Sequence, residues 1–489
     1  MRKAKNREMS AGRLMISAAG SGFGKSVVTM GLLQALKERG CALQSFKCGP
    51  DYIDPGFHER VLGTACRNLD TWLMGREEVL NEVSDAVFSG RLAVAEGAMG
   101  LFDGLGGGME HSAYSIAAVC GMSVLVVLDA GRDKGCVEQL KELLERDTEQ
   151  IIGGFLINRC HENEYLRIFR ELQNAFPVYT LRDRIRAVDR QMKKSSRMIT
   201  ACGFLPPIPE AMLSSRHLGL KGAQEIKDFA RRTHIIADEL ERAGCVDAAL
   251  SIMQAPSSKE GVRIPIPRSG DRTRCRIAVA RDEAFSFLYQ RSLENLERAG
   301  AKLCFFSPLH DSTLPDAADG LYLPGGYPEL YAHNLEKNAP MRRAVREAVL
   351  GGLPTVAECG GFLYLGERLN SEDGQSYQMA GALPGRAERK EKLVRFGYLE
   401  LTQEKGDSLL FREGESVTAH EFHYWDSDRC GEDLLAGKRS KNRTWRCGYV
   451  RENLYAAFPH LYMNEVRAER FVEACAKYQK EGRLWPGTS

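Results

Sequence analysis

The sequence has no Cys-x-x-Cys pair and no group of Cys and His residues with zinc-ligand spacing, which argues against the common structural zinc sites. It also has no uninterrupted apolar stretch of about 20 residues, the length needed to cross a bilayer. The basic N-terminus is not followed by an apolar segment of signal-peptide length. We therefore expect a cytoplasmic protein without a membrane partner.

The charge balance and the cysteine content further narrow the class of protein. The 67 Lys and Arg residues nearly balance the 65 Asp and Glu residues, and the net charge of +2 argues against a nucleic-acid binder with a uniformly basic surface. The 14 cysteines are scattered along the chain, and in a reducing compartment we expect them to be thiols rather than disulfides. A chain with 43% hydrophobic and 27% charged residues has the composition of a globular protein.

The 489 residues exceed what one hydrophobic core usually supports, so more than one domain is expected. Apolar strands alternate with amphipathic helices over residues 13–253, and this alternation restarts at 275 and continues to 489, which predicts two doubly wound α/β domains. Residues 254–274 are polar and aperiodic and are predicted to be a linker, and residues 1–12 to be a tail. The clearest predicted strands are Leu14–Ser17, Leu92–Ala95, Val124–Leu128 and Ile152–Ile157, and the clearest helices are Val27–Arg39 and Val137–Arg146.

A glycine-rich loop follows the first predicted strand and leads into a helix. In such a loop, backbone N–H groups and the helix N-terminus point at phosphate oxygens, a Lys reaches the outer phosphates, and a Ser hydroxyl can bind Mg²⁺. The sequence departs from the usual pattern at Ala18 and Ala19, because glycine is usual at the second position. The residues predicted to bind ATP are Gly20, Ser21, Gly22, Phe23, Gly24, Lys25 and Ser26.

Carboxylates follow two other predicted strands. Asp51 and Asp54 lie in a sharp turn after Gly49-Pro50, and Glu96 follows the next strand. Because the carboxyl ends of parallel strands line one crevice, these side chains should converge on the phosphate loop. We predict that Asp51 and Glu96, together with Ser26, hold Mg²⁺. The alternative is that Asp51 and Asp54 only form the turn, which is a common use of Asp.

A second glycine-rich elbow surrounds Cys359, which lies between the apolar run Leu353–Val356 and Gly360-Gly361. A strand–elbow–helix turn lifts a side chain clear of the sheet, and the N-terminus of the predicted helix Phe362–Leu369 favours a thiolate. The alternative is a buried structural cysteine. A nucleophilic thiol needs a base and an oxyanion hole. The candidate bases downstream in the same domain are His420, His423 and His460.

Several longer motifs, in the same order along most of the chain, resemble one family. They resemble runs of the cobyrinic acid a,c-diamide synthase family and are Lys47–Pro55, Arg67–Trp72, Glu96–Gly104, Gly154–Arg159, Gly203–Pro206 and Arg216–Leu220. The resemblance implies an N-terminal ATP-binding domain of the P-loop NTPase type, related to dethiobiotin synthetase. It also implies a C-terminal class I glutaminase domain with a flavodoxin-like fold.

The same resemblance assigns residues in the glutaminase half. It places the catalytic base at His460 and makes His420 and His423 part of a structural or interface-forming run. Glutaminases of the triad type carry Glu two residues after the base, whereas this chain has Tyr462 there, so a Cys–His dyad is expected. The implied oxyanion hole consists of the backbone N–H groups of Gly325, Gly326 and Gly360.

The family's reaction gives the implied function. Glutamine is hydrolysed at the Cys359 thiol with His460 as general base, and the released ammonia is consumed in the synthetase domain. There ATP phosphorylates a carboxylate and ammonia displaces the phosphate, at positions a and c of cobyrinic acid in cobalamin (vitamin B12) biosynthesis. Cobalt enters with the corrinoid substrate, so no protein-bound cobalt is expected. The candidates for orienting the substrate or the acyl phosphate are Tyr52, Asp54, Asp103 and Arg216.

Other hypotheses stay open at this point. Hydrogenobyrinic acid or Ni-sirohydrochlorin could undergo the same chemistry, and nothing in the sequence separates them from cobyrinic acid. A partitioning-type ATPase would carry a signature Lys where this chain has Gly20, and a scaffold with an inactive glutaminase domain is a third class. A homodimer is also open. The basic segment Arg182–Arg197 is either a solvated helix face or a positive rim for a polyanionic substrate.

Overall fold

The computed structural model describes residues 12–189, 198–211, 215–216, 219–220, 226, 228–253, 273–438 and 443–482. The chain divides into two compact units, Met1–Pro265 and Ile266–Ser489. Nearly all of the predicted tail and linker, and residues 190–197 of the basic segment, lie outside the described residues. Within the described part, no helix is both long and apolar enough to span a membrane.

The first unit alternates strands and helices along the chain. Its strands are β1 (Arg13–Ala18), β2 (Leu43–Cys48), β3 (Arg67–Leu69), β4 (Leu92–Glu96), β5 (Ser123–Asp129), β6 (Ile152–Asn158), β7 (Val178–Tyr179), β8 (Ile199–Leu205), β9 (Ser215–Arg216) and β10 (Gly219–Leu220). Its helices are α1 (Lys25–Glu38), α2 (Asp54–Leu62), α3 (Arg76–Phe88), α4 (Ala113–Cys120), α5 (Cys136–Arg146), α6 (Glu162–Ala175), α7 (Leu181–Asp189), α8 (Phe229–Arg242) and α9 (Cys245–Met253).

Eight of these strands form one parallel sheet in the order β3-β2-β4-β1-β5-β6-β8-β7. Side chains of β1 alternate between two buried clusters, because successive strand residues point to opposite faces. Leu14 and Ile16 pack with residues of α1, α8 and α9, whereas Met15 packs with residues of α3 to α6. The helices thus cover both faces, and the predicted doubly wound α/β fold is confirmed for this unit.

The second unit combines a parallel core with antiparallel additions. Its helices are α10 (Gln290–Arg298), α11 (Ala332–Lys337), α12 (Ala339–Leu350), α13 (Gly360–Leu365) and α14 (Glu465–Lys480). Its strands are β11 (Cys275–Ala280), β12 (Phe285–Phe287), β13 (Ala301–Phe306), β14 (Gly320–Leu323), β15 (Gly325–Gly326), β16 (Thr355–Glu358), β17 (Arg368–Asn370), β18 (Ser376–Gln378), β19 (Arg386–Arg389), β20 (Arg395–Gln403), β21 (Ser416–His423), β22 (Trp425–Ser427), β23 (Leu434–Lys438), β24 (Arg443–Cys447), β25 (Tyr449–Arg451), β26 (Leu454–Ala457) and β27 (His460–Leu461).

The central sheet of this unit has the order β13-β11-β14-β16-β26-β25, and only the edge pair β25–β26 is antiparallel within it. An antiparallel sheet, β24-β23-β20-β21-β27, covers part of one face. Leu401 of β20 and Phe471 of α14 share a buried cluster with Ile277 of β11. Helices α12 and α13 pack in the other cluster, so the parallel core is covered on both faces.

Two expectations for the second unit were wrong. The strand–helix alternation does not continue to the end, because the described residues between Leu365 and Glu465 form strands, turns and loops. The predicted helix Phe362–Leu369 is instead Gly360–Leu365, since Gly366 is extended and Arg368 begins β17. Antiparallel strands can follow one another with no helix between them, so a search for alternation of strands and helices overlooks them.

Gly31 marks the closest approach of α1 to α8, and we predict that Gly31→Ala destabilises the first unit. An added Cβ would lie 2.3 Å from Ile236 Cγ2 and 2.9 Å from Leu240 Cδ1, both of which are buried. Overpacking of about 1–3 kcal/mol should exceed the helix-propensity gain of about 1 kcal/mol. Thermal unfolding followed by circular dichroism checks this. Gly437→Ala is the control, because its nearest atom is 3.9 Å away, and a raised Tm for Gly31→Ala would contradict the packing argument.

Candidate functional sites in the two units

The phosphate loop lies at the carboxyl end of β1 and leads directly into α1. The Lys25 ammonium donates to the Gly20 carbonyl at 2.8 Å, so the side chain folds back across the loop. Burial, followed by the charge of Lys47, lowers the pKa of Lys25 to about 8. A phosphate group in the loop would favour the charged ammonium, since opposite charges attract strongly where water is excluded.

Side chains that follow the neighbouring strands β5 and β6 hold the loop in place. Both Arg132 and Arg159 pair with the buried Asp129, at 3.2 and 2.8 Å. Sequence reasoning quoted Asn158 and Arg159 only as part of a motif and missed this contact, although the end of a parallel strand was the signal for it. The donors to loop carbonyls are Asn158 to Phe23 at 2.9 Å, Arg132 to Ser21 at 3.1 Å and Arg159 to Gly22 at 3.2 Å.

Glu96, the last residue of β4, joins the loop to two other elements. Its Oε1 accepts from Ser26 Oγ at 2.6 Å and from Lys47 Nζ at 2.9 Å, and its Oε2 lies 2.9 Å from His58 Nε2. Burial alone would raise the pKa of Glu96, but Lys47 and His58 outweigh it and hold that pKa well below its usual value. The carboxylate therefore stays ionised next to the Ser26 hydroxyl, as a ligand for Mg²⁺ must.

Asp54 completes the cluster around Ser26. Its Oδ2 is an ion-pair partner of Lys47 and lies 3.4 Å from Ser26 Oγ. Burial, then the nearby Asp51, raises the pKa of Asp54 to about 7. A hydroxyl and two carboxylates are hard oxygen donors of the kind that Mg²⁺ prefers, so the residues present fit this ion.

The other predicted residues of this half are placed differently. Asp51 Oδ1 accepts from the backbone of Ile53 at 2.9 Å and of Asp54 at 3.1 Å, which is the turn-forming use, and its Oδ2 is 3.8 Å from Lys47. Asp103 is exposed and accepts from the Gly100 amide at 2.8 Å. Tyr52 is half-buried in the turn before α2. Arg216 lies in β9, and its side chain is outside the described part of the structure.

Lys47 is the functional candidate that sequence reasoning missed in this half. It was quoted within the Lys47–Pro55 run without a role, yet its ammonium is 2% exposed and touches both Asp54 and Glu96. Burial opposes its charge, but the carboxylates of Asp54, Glu96 and Asp51 raise the pKa of Lys47 well above its usual value. A lysine at a strand end, close to Asp51 and Asp54 in the chain, was the available signal, because lysine is rarely buried unless it is paired.

Cys359 lies at the elbow between β16 and α13. Its backbone adopts φ 43° and ψ −100°, which few residues other than glycine tolerate, and such strain recurs at functional sites. The elbow is tied down by bonds from the Cys359 amide to the Ala457 carbonyl at 2.8 Å and from the Leu363 amide to the Cys359 carbonyl at 2.9 Å. The side chain is 6% exposed.

The glycines predicted to form an oxyanion hole converge with His460. A Cβ added at Gly325 would lie 2.3 Å from His460 Cε1, and one added at Gly360 would lie 2.9 Å from the Gly326 amide nitrogen. Gly325 and Gly326 form β15, which pairs with β12. His460 itself is fixed in β27, opposite His420 of β21. The structure thus brings the turn, the elbow and the predicted base together.

Burial makes the thiol and the imidazole neutral. It raises the pKa of Cys359 well above its usual range, with Glu329 and Glu421 adding to the effect. It lowers the pKa of His460 to about 3, with His420 and His423 acting in the same direction. Burial thus opposes the expected preference for a thiolate, whereas the backbone N–H of Gly360 at the start of α13 acts in its favour.

His423 and its neighbours form a buried network beside the elbow. His423 Nδ1 lies 2.6 Å from the Trp425 carbonyl and Nε2 lies 2.8 Å from Glu421 Oε1. Its ring stacks on Phe458, with centroids 3.9 Å apart and planes 6° from parallel. Both nitrogens are thus engaged, which suits a structural histidine better than a proton shuttle.

The chain resembles known proteins over nearly its whole length. A model of the CobB/CobQ-like glutamine amidotransferase domain matches residues 276–468. The cobyrinate a,c-diamide synthase of Thermoplasma volcanium is 32% identical over 488 residues, covering 97% of this chain and 100% of the relative. Those of Listeria innocua and Salmonella typhimurium are each 33% identical and cover 92% of this chain and 96% and 94% of the relatives.

These similarities define the class, a glutamine-dependent amidating ligase. Within that class, the chain belongs to the cobyrinate a,c-diamide synthase family. Similar solved structures include PurLQS from Thermotoga maritima, 17% identical with a TM-score of 0.29 over 42% of this chain and 99% of that one. The MinD cell division protein of Aquifex aeolicus is 15% identical, with a TM-score of 0.28 over 50% and 95%. Likenesses this weak add nothing to the assignment.

The crowding at Gly325 predicts that Gly325→Ala impairs glutamine hydrolysis. The new methyl group would overlap the His460 ring, so the imidazole must leave its position opposite His420. We expect the glutaminase kcat to fall by about tenfold or more, because misplaced catalytic groups lose most of their effect. Glutamate release measures this, with Gly437→Ala as the matched control in the same unit. Normal hydrolysis by Gly325→Ala would show that His460 is not the base.

Proposed function

We propose that this chain uses ATP and glutamine to amidate the a and c carboxylates of cobyrinic acid, a step of cobalamin biosynthesis. The observation that carries this proposal is the similarity to cobyrinate a,c-diamide synthases over 92–97% of the chain. Support comes from the phosphate loop in one unit and the strained cysteine elbow in the other. The pairing matters because hydrolysis of glutamine supplies the ammonia that an activated carboxylate consumes.

In the glutaminase unit, Cys359 Sγ attacks the side-chain amide carbon of glutamine. His460 takes the thiol proton and gives it to the leaving nitrogen, so that ammonia departs and a glutamyl thioester remains. Water then hydrolyses the thioester to glutamate. The backbone N–H groups of Gly325, Gly326 and Gly360 stabilise the oxyanion of the tetrahedral intermediate. The convergence of these glycines with His460 supports this assignment.

In the synthetase unit, the loop from Gly20 to Ser26 binds the phosphates of ATP and Lys25 neutralises charge on them. An oxygen of the substrate carboxylate attacks the γ-phosphorus, ADP leaves, and an acyl phosphate forms. Ammonia attacks the acyl carbon, and phosphate departs as the amide forms. Lys47 keeps Glu96 ionised beside Ser26.

Magnesium would be held by Ser26 and Glu96, with Asp54 rather than Asp51 as the further carboxylate, since Asp54 is the one of the two that contacts Ser26. Bound there, the ion would supply charge neutralisation on the β- and γ-phosphates. Asp51 then serves mainly to shape the turn. Tyr52, Asp103 and Arg216 remain, with Asp54, the candidates for orienting the substrate or the acyl phosphate, and cobalt enters with the substrate.

A substrate comparison tests this function. Purified protein is given ATP, Mg²⁺ and glutamine with cobyrinic acid, hydrogenobyrinic acid or Ni-sirohydrochlorin, and the products are analysed by mass spectrometry. We expect two successive replacements of a carboxylate OH by NH₂ on cobyrinic acid. Turnover of one of the other two substrates alone would reassign the substrate, and no amidation of any of them would reject the tetrapyrrole function.

The cytoplasmic location, the homodimer and the absence of nucleic-acid partners stay predictions.

We predict that Cys359→Ala abolishes glutamine-dependent amidation and retains ammonia-dependent amidation. The variant removes the atom that forms the thioester, whereas free ammonia needs no glutaminase. Amide formation with glutamine or with ammonium chloride at alkaline pH measures both activities. Cys304→Ala, at a half-buried cysteine on β13, is the matched control and should behave like the wild type. If glutamine still supported amidation by Cys359→Ala, the nucleophile would have to be another residue.

A further inference from the structure

His460 receives no carboxylate from the position that triad-type glutaminases use. That position, two residues further on, holds Tyr462, which is 2% exposed and packs its ring edge-on against Tyr289 at 6.2 Å. A neutral phenol does not stabilise a positive imidazolium as a carboxylate does. A protonated His460 would therefore need a negative partner from another element of the unit.

Glu358, the residue immediately before Cys359, reaches the same imidazole. Glu358 is the last residue of β16, and Cys359 follows it at the elbow. The Glu358 carboxyl group is 1% exposed, and its Oε2 lies 3.9 Å from His460 Nδ1. This distance is longer than a hydrogen bond but short enough for direct electrostatic interaction, and catalytic contacts often tighten when substrate binds.

Two hydrogen bonds hold the Glu358 carboxyl group at this place. Its Oε1 accepts from the Leu461 amide at 2.9 Å, and Leu461 is the residue next to His460. Its Oε2 accepts from the Tyr322 hydroxyl at 3.1 Å. The first bond ties the backbone of the base to the strand that carries the nucleophile, so the geometry of the pair depends on Glu358.

Another buried carboxylate near the elbow is already engaged. Glu421 Oε1 pairs with His423 at 2.8 Å and lies 3.3 Å from Arg395. Its charge is therefore compensated by its own neighbours, whereas the two donors to Glu358 are a neutral amide and a neutral hydroxyl. Of these two glutamates, Glu358 is the one whose charge would act on His460.

We propose that Glu358 is the positioning residue of the glutaminase site: its carboxylate orients His460 through Nδ1 and stabilises the imidazolium that forms when His460 takes the Cys359 proton. The inference rests on the proposed roles of Cys359 and His460. With Nδ1–H directed at Glu358, Nε2 keeps the lone pair that accepts the thiol proton. That proton passes to the leaving nitrogen, and Glu358 neither gains nor loses one during turnover. The carboxylate thus takes the place of the acid missing at Tyr462.

The pH profile distinguishes this role from a purely structural one. Burial raises the pKa of Glu358 to about 8, against the opposing effects of the Leu461 amide, Tyr322 and Arg467. The ionised fraction of Glu358 therefore grows as the pH rises through about 8. The histidines of β21, His420 and His423, act on His460 itself and are unchanged in any Glu358 variant.

The test compares Glu358→Gln with the wild type. Glutamine retains an oxygen for the Leu461 amide but cannot ionise, so the fold should persist. We expect the kcat for glutamine hydrolysis to fall by about 10- to 1000-fold, with the KM for glutamine changed by less than about threefold. In the wild type, ionisation of Glu358 should raise kcat between pH 7 and 9, and this rise should be absent in Glu358→Gln. A kcat within about twofold of the wild type, with the same pH profile, would overturn the inference.

Three further variants serve as controls for this test. Glu347→Gln, on the exposed face of α12, is the matched control and should show wild-type rates. Glu358→Asp retains the charge and should be more active than Glu358→Gln. If Glu358→Gln does not fold, Glu358→Asp decides the matter, because it should keep the rise in kcat between pH 7 and 9 and its loss would overturn the inference. His460→Ala is measured in parallel. If His460→Ala hydrolyses glutamine normally, the proposed site itself is wrong, and if only Glu358→Gln does so, the inference about Glu358 alone fails.

Discussion

A buried glutamate at the carboxyl end of a central parallel strand organises the site in each unit. Glu96 ends β4 and Glu358 ends β16, and the two side chains are 0% and 1% exposed. A carboxyl group taken out of water must be hydrogen-bonded or paired, because leaving it without partners costs several kcal/mol. The protein meets this requirement with the very groups that carry the proposed chemistry. The partners that each buried carboxyl group needs are therefore also residues of the proposed site.

The two glutamates differ in their partners and hence in their charge. Glu96 faces Lys47 and His58, which hold its pKa down, so it is a fixed negative charge beside Ser26. Glu358 faces an amide and the Tyr322 hydroxyl, and burial raises its pKa instead. A permanent anion suits a phosphate and metal site, where positive charge is always present. A carboxyl group whose pKa lies close to neutral pH suits a site in which positive charge appears only during the reaction.

The parts of the fold that follow from local pattern could be predicted from the sequence. The apolar runs at Leu14–Ser17 and Leu92–Ala95 are strands in one parallel sheet, because consecutive buried residues bounded by glycine or polar turns have few other solutions. The antiparallel sheet around β20 and β21 could not be predicted in this way. Its strands alternate between buried and more exposed residues and follow one another without helices between them, so no strand–helix alternation marks them.

The candidate sites, like the fold, could be predicted only in part. The nearness of Glu96 to the phosphate loop follows from strand order, and it was predicted. The role of Lys47 depends on which carboxylates surround it, and the neutral state of Cys359 depends on burial, so neither could be deduced from a motif.

The neutral resting state at Cys359 constrains the proposed mechanism. A preformed thiolate–imidazolium pair would need a lowered thiol pKa and a raised imidazole pKa, and burial moves both in the opposite direction. In the proposed mechanism, proton transfer to His460 therefore accompanies attack on glutamine rather than preceding it. The positive charge on the imidazole exists only near the transition state, so a carboxylate beside it stabilises that state more than the ground state. Such differential stabilisation is what accelerates a reaction, and it gives the location of Glu358 next to His460 its chemical meaning.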